Sequence, residues 1–246
     1  MGPHWNSSLR FPILVKWLDC KDRLSLQVHP PASVAKQLQG EPKTENWYVV
    51  ESKKETGLLL GLKQTISPEA FRQATLTDTI ESCLSRVEIN QHDSIFVPSG
   101  RLHAIEGGCF LLEIQQNSDT TYRVYDWKRL GVDGKPRELH LEAAIRSIDF
   151  ADIQPIVKKY QPGHQILAET NLFRLKQVEL DAGEKLFYPS HQEPKIVSII
   201  KGSINILGSE GETQLQAGAN LLLPYEGSFS LEAQQNSLLL ITDKFT

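Results

Sequence analysis

The chain has 246 residues, enough for one large or two small domains with a sizeable hydrophobic core. Its net charge of −4 offers no bulk attraction to nucleic acid or to an anionic membrane, so neither partner is expected. The three cysteines are widely spaced and form no CxxC motif, which favours a reducing, cytoplasmic setting over a disulfide framework. The first ten residues lack the features of a secretory signal, and no apolar run is long enough to span a bilayer.

Short β-branched and leucine-rich runs, separated by turn residues, predict strands along the first half of the chain. The runs are FPILVKWLD, WYVVE, TGLLLGL, SIFVPS and CFLLEIQ. A helix is predicted to begin at Ser67-Pro68-Glu69, where serine can cap the helix and proline suits its first turn. Further short helices are predicted over residues 77–86 and 141–148 from the spacing of their apolar residues.

Residues 152–163 contain two prolines and no clear period, which is typical of a linker. The part of the chain beyond them is nearly pure β in pattern, with turn signals at short intervals. Such closely spaced strands are typical of a sandwich, jelly roll or barrel. We therefore predict a mainly β protein with two domains, residues 1–150 and 151–246, and a short helical insertion around residues 67–86 in the first.

Polar residues in three short runs form a candidate metal site. Gln27 and His29 lie two residues apart in LSLQVHP, so a strand places both side chains on one face. Glu45 follows Lys43 at the same spacing, and His103 follows a Pro-Ser-Gly turn. Two imidazoles, a carboxylate and an amide oxygen suit zinc and do not exclude manganese, cobalt or iron. Taken singly, each residue is more often a surface or core residue, so spacing alone leaves that alternative open.

A weak internal repeat links the two halves of the chain. INQHDSIFVPSGRLHAI resembles QAGANLLLPYEGSFSLEA, since each has a turn, an apolar strand ending in proline, a glycine-containing turn and another strand. His103 lies five residues after Pro98 in the first copy, whereas Phe229 lies five residues after Pro224 in the second. We therefore expect two similar β domains, of which only the first binds metal.

Longer stretches around these residues resemble the type I mannose-6-phosphate isomerases, also called phosphomannose isomerases, of the cupin superfamily. The matching stretches are FPILVKWLDCKDRLSLQVHP, PKTENWYVV, VPSGRLHAI and LEIQQNSDTTYRVYDWKRLGVDGKPRELHLEAA. The resemblance runs from about Phe11 to Ile148 and continues more loosely to the end of the chain. It implies two cupin-like jelly-roll β-barrels, with the metal site and the catalytic residues in the first.

The same resemblance implies a metal-dependent aldose–ketose isomerase that interconverts mannose 6-phosphate and fructose 6-phosphate through an enediolate. The family's metal ligands fall on Gln27, His29, Glu45 and His103, all of which are present. The lysine of its K-x-E motif falls on Lys43. The partner is therefore expected to be a sugar phosphate, and the cofactor one divalent metal ion, with zinc as the first candidate.

The remaining candidate residues also come from the resemblance. The acidic and basic residues of the family's S-D-x-x-x-R motif fall on Asp119 and Arg123, and Arg123 is expected to donate hydrogen bonds to the developing oxyanion. Lys43 and Asp119 are the candidates for the base that moves the carbon-bound proton. Lys43 could instead pair with a carboxylate, and Asp119 could merely orient Arg123. Lys16 and Ser25 are candidates for binding the phosphate, although a strand lysine is usually solvated.

Two departures from the family leave alternatives open. Members usually carry several dozen residues before the FP-x-L-x-K segment and this chain has ten, so we expect a compact or N-terminally trimmed member. Larger members also insert a helical domain, which is reduced here to the stretch around residues 67–86. Catalysis on another aldose or aldose phosphate, or metal and sugar binding without turnover, are the alternative functions. The sequence allows either a monomer or a homodimer.

Overall fold

The computed structural model describes every residue except His4, Ser7, Val132, Gln154, Glu210 and Thr246. Its internal contacts divide the chain into two compact units. We call residues 13–160 the first β unit, and residues 1–12 together with residues 161–246 the second β unit. Within the described residues, no helix has the length and apolar character needed to cross a membrane.

The described part of the first β unit folds into antiparallel strands with three short helices. The strands are β1 (Ile13–Cys20), β2 (Leu26–Val28), β3 (Glu45–Ser52), β4 (Gly57–Leu62), β5 (Leu84–Glu88), β6 (Ser94–Val97), β7 (His103–Ile105), β8 (Cys109–Gln116) and β9 (Tyr122–Tyr125). The helices are α1 (Ala32–Ala35), α2 (Pro68–Leu76) and α3 (Leu141–Ser147). One sheet has the strand order β1-β8-β3-β6, and the other has the order β5-β4-β7-β2-β9.

An apolar core lies between the two sheets of the first β unit, and polar residues lie at one end of this core. Trp47 and Val49 of β3 and Leu58 of β4 are almost fully inaccessible and belong to the same core cluster. Because side chains alternate along a strand, Glu45 faces the same side as Trp47 and Val49. The core thus places a buried carboxylate at the end of a row of packed apolar residues.

Two of the predicted helices are confirmed. Helix α2 begins at Pro68, and the hydroxyl of Ser67 accepts a hydrogen bond from the backbone N–H of Ala70, as expected for an N-cap residue. Helix α3 covers the stretch predicted over residues 141–148 except for its last residue. Local capping and apolar spacing were therefore sufficient signals for these two elements.

The helix predicted over residues 77–86 is wrong. Only a single 3₁₀ turn forms at Ile80–Cys83, and Leu84–Glu88 is strand β5, paired with the apolar strand β4. Ile80 and Leu84 are fully buried in the same core cluster. Pairing with a strand that is distant in sequence therefore overrides the local helical spacing.

The second β unit repeats the topology of the first. Its strands are β10 (Gln165–Glu169), β11 (Arg174–Leu180), β12 (Lys185–Tyr188), β13 (Lys195–Lys201), β14 (Ser203–Gly208), β15 (Gly211–Gln216), β16 (Asn220–Leu223), β17 (Phe229–Ala233) and β18 (Ser237–Asp243). One sheet has the order β10-β11-β18-β13-β16, and the other has the order β12-β17-β14-β15. The order β11-β18-β13-β16 corresponds strand for strand to β1-β8-β3-β6, and the order β12-β17-β14-β15 corresponds to β2-β7-β4-β5. Strands β9 and β10 are additional edge strands. The mainly β class with a few short helices is confirmed.

The described residues between 151 and 160 belong to the first β unit. Ser94 and Lys158 form an isolated antiparallel bridge, and Lys159 Nζ lies 2.8 Å from a carboxylate oxygen of Asp93. The proline-containing stretch that the sequence marks as a linker is irregular over its described residues, apart from isolated bridges. The first unit therefore extends to Tyr160 by its contacts.

Asp243 connects strand β18 to strand β11 in the second β unit. Its side chain is 2% exposed, its oxygens accept hydrogen bonds from Arg174 at 2.7 and 2.8 Å, and Lys176 Nζ lies 2.8 Å away. Burial works to raise the pKa of Asp243, but the hydrogen bonds from Arg174 and Lys176 outweigh burial and lower it. The stability that the carboxylate contributes is therefore complete above the usual aspartate range, and it is lost as the pH falls through the lowered pKa.

We expect Asp243→Asn to lower the free energy of unfolding at neutral pH by about 1–3 kcal/mol, because it leaves Arg174 and Lys176 without their carboxylate. The difference should shrink in acid, where the wild-type carboxylate is itself protonated. Chemical denaturation of both proteins across this pH range measures the effect. Glu232→Gln, which removes a more exposed pair with Lys185, is the matched control and should cost at most about 1 kcal/mol. An equal loss in both variants would contradict this account of Asp243.

Candidate metal centre

Strand β2 brings three candidate residues side by side in the first β unit. Gln27 pairs with His103 of β7 on one side and with Arg123 of β9 on the other. Directly opposite residues of antiparallel strands point to the same face of a sheet, so these side chains are neighbours. His29 follows Gln27 by two residues, and Glu45 opens strand β3 of the other sheet. The fold therefore gathers all four predicted metal ligands.

The ligand atoms are spaced as a coordination shell requires. Glu45 Oε1 lies 3.5 Å from His29 Nε2 and 3.6 Å from His103 Nε2. The side-chain amide of Gln27 lies 3.2 Å from His103 Nε2, and a half-turn of that amide presents its oxygen instead. Atoms that each lie about 2.0–2.2 Å from a tetrahedral zinc ion are about 3.3–3.6 Å from one another. The two spacings from Glu45 fall in this range, and the ligand atoms of His29, Glu45 and His103 all lie within 4.8 Å of one another, so the group could hold a metal ion.

The unsatisfied polar atoms of the group also fit a metal ion. His29 Nε2 and Glu45 Oε1 are buried and have no hydrogen-bond partner among the described residues, a state that normally costs about 1–3 kcal/mol per group. The other ring nitrogens are occupied: His29 Nδ1 lies 2.9 Å from the carbonyl of Thr120, and His103 Nδ1 lies 2.9 Å from that of Arg101. Each carbonyl accepts the Nδ1–H, which leaves the Nε2 lone pair free to bind a metal.

Electrostatics keep two of the candidate ligands in their metal-binding forms. Burial, followed by interaction with the neighbouring His29, lowers the pKa of His103 to about 3, so its imidazole is neutral at neutral pH. Burial works to raise the pKa of Glu45, but interactions with His29 and with the ammonium of Lys43 outweigh it and lower that pKa. A neutral imidazole and an ionised carboxylate are the forms that coordinate metals.

Lys43 lies in a buried network that includes a carboxylate the sequence analysis missed. The Nζ atom of Lys43 is 2.8 Å from Glu45 Oε2 and 3.8 Å from Glu113 Oε1. Glu113 is 6% exposed and accepts a hydrogen bond of 2.9 Å from the indole of Trp47. Burial, followed by the charge of Glu45, raises the pKa of Glu113. Its only signal in the sequence is an acidic residue within the apolar run CFLLEIQ, at a position that faces the core.

The two candidates for phosphate binding lie on neighbouring parts of the same unit. Lys16 Nζ donates a 2.7 Å hydrogen bond to Gln115 Oε1 and lies 3.6 Å from Glu113 Oε1, with 37% of its side chain exposed. Ser25 is buried two residues before Gln27, and its hydroxyl has no hydrogen-bond partner among the described residues. Both side chains thus retain hydrogen-bonding capacity for a ligand.

The structure separates the two residues of the S-D-x-x-x-R motif. Arg123 Nη1 donates to the carbonyl of Glu138 at 2.8 Å, and its Nε is buried without a hydrogen-bond partner. Burial, followed by the charge of Arg137, lowers the pKa of Arg123. Asp119 is exposed and forms no hydrogen bond or ion pair with any described residue. The structure therefore brings Arg123 beside the candidate ligands but does not bring Asp119 into contact with them or with Arg123.

The equivalent positions of the second β unit carry different chemistry. There Tyr188 of β12 lies opposite Phe229 of β17, in the place that Gln27 and His103 occupy in the first unit. Lys195 is the first residue of strand β13, whereas Glu45 is the first residue of the equivalent strand β3. An ammonium group repels a cation where the first unit supplies a negative charge. Among the described residues, a cluster of three or more His, Cys, Asp or Glu ligands is found only in the first β unit.

Comparison with known proteins gives consistent relatives. The chain is 36% identical over 230 residues to the probable mannose-6-phosphate isomerase GmuF of Bacillus subtilis, which covers 90% of this chain and 72% of the relative. It is also 36% identical over 240 residues to the mannose-6-phosphate isomerase ManA of the same organism, covering 91% of this chain and 72% of that protein. No family model matches the chain.

A solved structure agrees with these relatives. The crystal structure of the mannose 6-phosphate isomerase from Bacillus subtilis superposes with a TM-score of 0.84 at 29% sequence identity, covering 95% of this chain and 75% of that chain. The cupin-type jelly-roll fold expected from the sequence is therefore confirmed.

Proposed function

The chain belongs to the mannose-6-phosphate isomerase family, and we propose that it interconverts mannose 6-phosphate and fructose 6-phosphate in its first β unit. The observation that carries this proposal is the buried group of His29, Glu45 and His103, whose ligand atoms all lie within 4.8 Å of one another. A sugar phosphate is the substrate, and the reaction is an aldose–ketose isomerisation.

Gln27, His29, Glu45 and His103 hold one divalent cation in this proposal. Zinc is the first candidate because the donor set mixes nitrogen and oxygen ligands at zinc-like spacings, and manganese, cobalt or iron are the alternatives. A bound cation supplies electrostatic stabilisation for the negative charge that develops on neighbouring substrate oxygens. The second β unit carries no metal, because its equivalent positions lack this donor set.

The chain's own residues move the proton and stabilise the charge. The isomerisation transfers a proton between C2 and C1 of the sugar through an enediolate. Lys43 is better placed for this transfer than Asp119, because it is buried beside Glu45 whereas Asp119 has no contact with the ligand group. Glu113, 3.8 Å from Lys43, orients the ammonium. Arg123, which pairs with Gln27 across the sheet, donates hydrogen bonds to the developing oxyanion.

Lys16 and Ser25 bind the phosphate group of the substrate in this account. We expect Lys16→Met to raise the KM for mannose 6-phosphate by about 10–100-fold with a smaller change in kcat, since a hydrogen bond to a charged group contributes about 1.5–3 kcal/mol. Steady-state kinetics measure the change. Lys21→Met, which alters an exposed lysine just beyond the same strand, is the matched control and should leave KM unchanged. An unchanged KM in Lys16→Met would remove Lys16 from the site.

Metal binding should also be visible without an activity assay. Adding zinc to chelator-treated protein should raise its free energy of unfolding by about 2.7 kcal/mol when free metal is about 100 times its Kd, because the metal binds only the folded chain. Thermal unfolding with and without chelator measures the difference. Identical unfolding curves, together with no bound metal by elemental analysis, would contradict the proposed ligand set.

A substrate panel tests the assignment of the reaction. We expect conversion of mannose 6-phosphate to fructose 6-phosphate and much weaker conversion of mannose, because free mannose lacks the group that Lys16 and Ser25 bind. Faster conversion of mannose would assign a free-aldose isomerase instead. Binding of the sugar phosphate without turnover would assign a sugar-binding protein.

We also propose a cytoplasmic location, which accords with the free thiols. The protein is either a monomer or a homodimer, and light scattering would distinguish the two.

A further inference from the structure

Two cysteines of the first β unit face each other at the end of a strand pair. Cys20, the last residue of β1, lies directly opposite Cys109, the first residue of β8. Opposite residues in antiparallel strands have Cα atoms about 4.5–5.5 Å apart, and a disulfide joins residues whose Cα atoms are about 4.4–6.8 Å apart. Both thiols are free in the structure, and each donates a weak hydrogen bond to a backbone carbonyl: Cys20 to that of Leu18 at 3.9 Å and Cys109 to that of Glu106 at 3.8 Å. The strand pairing therefore already places the two residues at a Cα separation that a disulfide can span.

The pair is buried but lines a cavity. Cys20 and Cys109 are 4% and 5% exposed, and both contribute to the wall of a cavity of about 500 Å³, to which Lys21 and Lys53 also contribute. A cavity of this size admits a small oxidant without any change in the strands. Asp19 and Glu51 line the same cavity, so its wall carries charges of both signs.

The two thiols differ in acidity in a way that assigns their roles. Interaction with Cys109 lowers the pKa of Cys20, whereas interaction with Cys20, followed by burial, raises the pKa of Cys109. Cys20 is therefore the better nucleophile, and Cys109 the thiol that acts second.

We propose that Cys20 and Cys109 form a reversible oxidation site, in which a hydroperoxide converts the pair to a disulfide between β1 and β8. The Cys20 sulfur attacks one peroxide oxygen, the O–O bond breaks, and a sulfenic acid and water form. The Cys109 sulfur then attacks that sulfenic sulfur, and the hydroxyl leaves as water with the Cys109 proton. Overall, two thiols and hydrogen peroxide give one disulfide and two molecules of water. A dithiol reductant reverses the change.

The cross-link lies away from the proposed metal centre. Lys16 and Glu113 pair in the same ladder, four residues along each strand from the two cysteines, which corresponds to about 13 Å. The disulfide therefore ties β1 to β8 at the opposite end of the ladder from these residues. Closing a long loop in this way stabilises the fold chiefly by restricting the unfolded chain.

Cys83 provides an internal control. It is partly exposed in a 3₁₀ turn, and its sulfur lies 3.9 Å from the hydroxyl of Ser82. Cys83 packs against a different core cluster from the one that contains Cys20 and Cys109. The variant Cys83→Ser therefore isolates the paired thiols, while Cys20→Ser and Cys109→Ser each break the pair.

The test is oxidation of the full chain by hydrogen peroxide, followed by intact-mass measurement, thiol titration and peptide mapping. In Cys83→Ser we expect the mass to fall by two hydrogen atoms and both titratable thiols to disappear, with full recovery after dithiothreitol. The same variant should bind one equivalent of a trivalent arsenical, which requires two adjacent thiols. Oxidised Cys83→Ser should also unfold at a higher denaturant concentration than its reduced form.

The opposite results would overturn the proposal. A gain of oxygen atoms without loss of hydrogen atoms would show that the sulfurs are not within bonding reach, and so would a crosslink that maps to two different chains. Arsenical binding that survives in Cys20→Ser or Cys109→Ser would place the dithiol elsewhere. If either of these variants fails to fold, comparison of wild type with Cys83→Ser still decides the matter, because wild type should then keep one titratable thiol after oxidation.

Discussion

Glu45→Gln is expected to lose its bound metal and to lower kcat/KM for mannose 6-phosphate by about 10³-fold. Glu45 supplies the only negative charge among the four proposed ligands, and its Oε1 atom lies within 3.6 Å of both histidine nitrogens. A catalytic metal contributes several kcal/mol of charge stabilisation, and each 1.36 kcal/mol corresponds to a tenfold change in rate, so about 4 kcal/mol gives this estimate. Steady-state kinetics and elemental analysis of the purified variant measure the two effects.

The matched control for this variant is Glu51→Gln. Glu51 lies in the same strand, but it is exposed and outside the ligand group. It should retain both metal and activity. If Glu45→Gln keeps a stoichiometric metal ion and wild-type turnover, then the buried carboxylate is not a ligand and the proposed centre is wrong.

Lys43→Met is expected to lower kcat by about 10²–10⁴-fold, the range that a positioned general acid or base contributes. The substitution removes the ammonium that lies between the buried carboxylates of Glu45 and Glu113. Leaving buried charges without their partner costs about 3–5 kcal/mol of stability, so the metal-free variant should also unfold more readily. Bound metal offsets part of this loss, because it supplies positive charge to Glu45.

Stability and catalysis can be separated for this variant. Kinetics at a temperature where circular dichroism shows the metal-loaded variant to be folded isolate the effect on kcat. Lys54→Met, at an exposed turn beyond β3, is the control and should leave both quantities unchanged. Asp119→Asn distinguishes the two candidate bases: a loss of about 10²–10⁴-fold in Asp119→Asn, with activity retained in Lys43→Met, would transfer the role to Asp119.

Part of the arrangement of the four candidate ligands could be predicted from local geometry in the sequence. Gln27 and His29 share one face through the alternation of side chains in a strand, and His103 follows a tight turn. The resemblance to the mannose-6-phosphate isomerases indicated which of these residues belong to one metal site. What the sequence did not show is the strand register that sets Gln27 between His103 and Arg123, since pairing depends on contacts distant in the chain.

Glu113 escaped sequence analysis for a related reason. Within CFLLEIQ it reads as one polar residue in a buried strand, and only the pairing of β8 with β1 and β3 reveals Lys16 and Trp47 opposite it. The wrong helix at residues 77–86 has the same origin, because the partner of β5 is the distant strand β4. Local signals were sufficient for caps, turns and alternation, whereas tertiary pairing decided the rest.

The internal repeat was predicted from one pair of motifs and extends much further in the structure. Four strands of each sheet recur in the same order in the second β unit. Glu45 begins strand β3, whereas Lys195 begins the equivalent strand β13. This difference became recognisable only through the register of β13 with β16. The two β units thus share one topology, while the residues at one end of each unit differ in chemistry.

The most direct test of the central claim is turnover of mannose 6-phosphate to fructose 6-phosphate by zinc-reconstituted protein beside the same protein treated with chelator. We predict turnover in the reconstituted sample, its loss on chelation and its recovery when metal is restored. Undiminished turnover in chelated protein that elemental analysis shows to be free of metal would contradict a metal-dependent isomerase. Absence of turnover in protein that holds one metal ion per chain would contradict the proposed reaction.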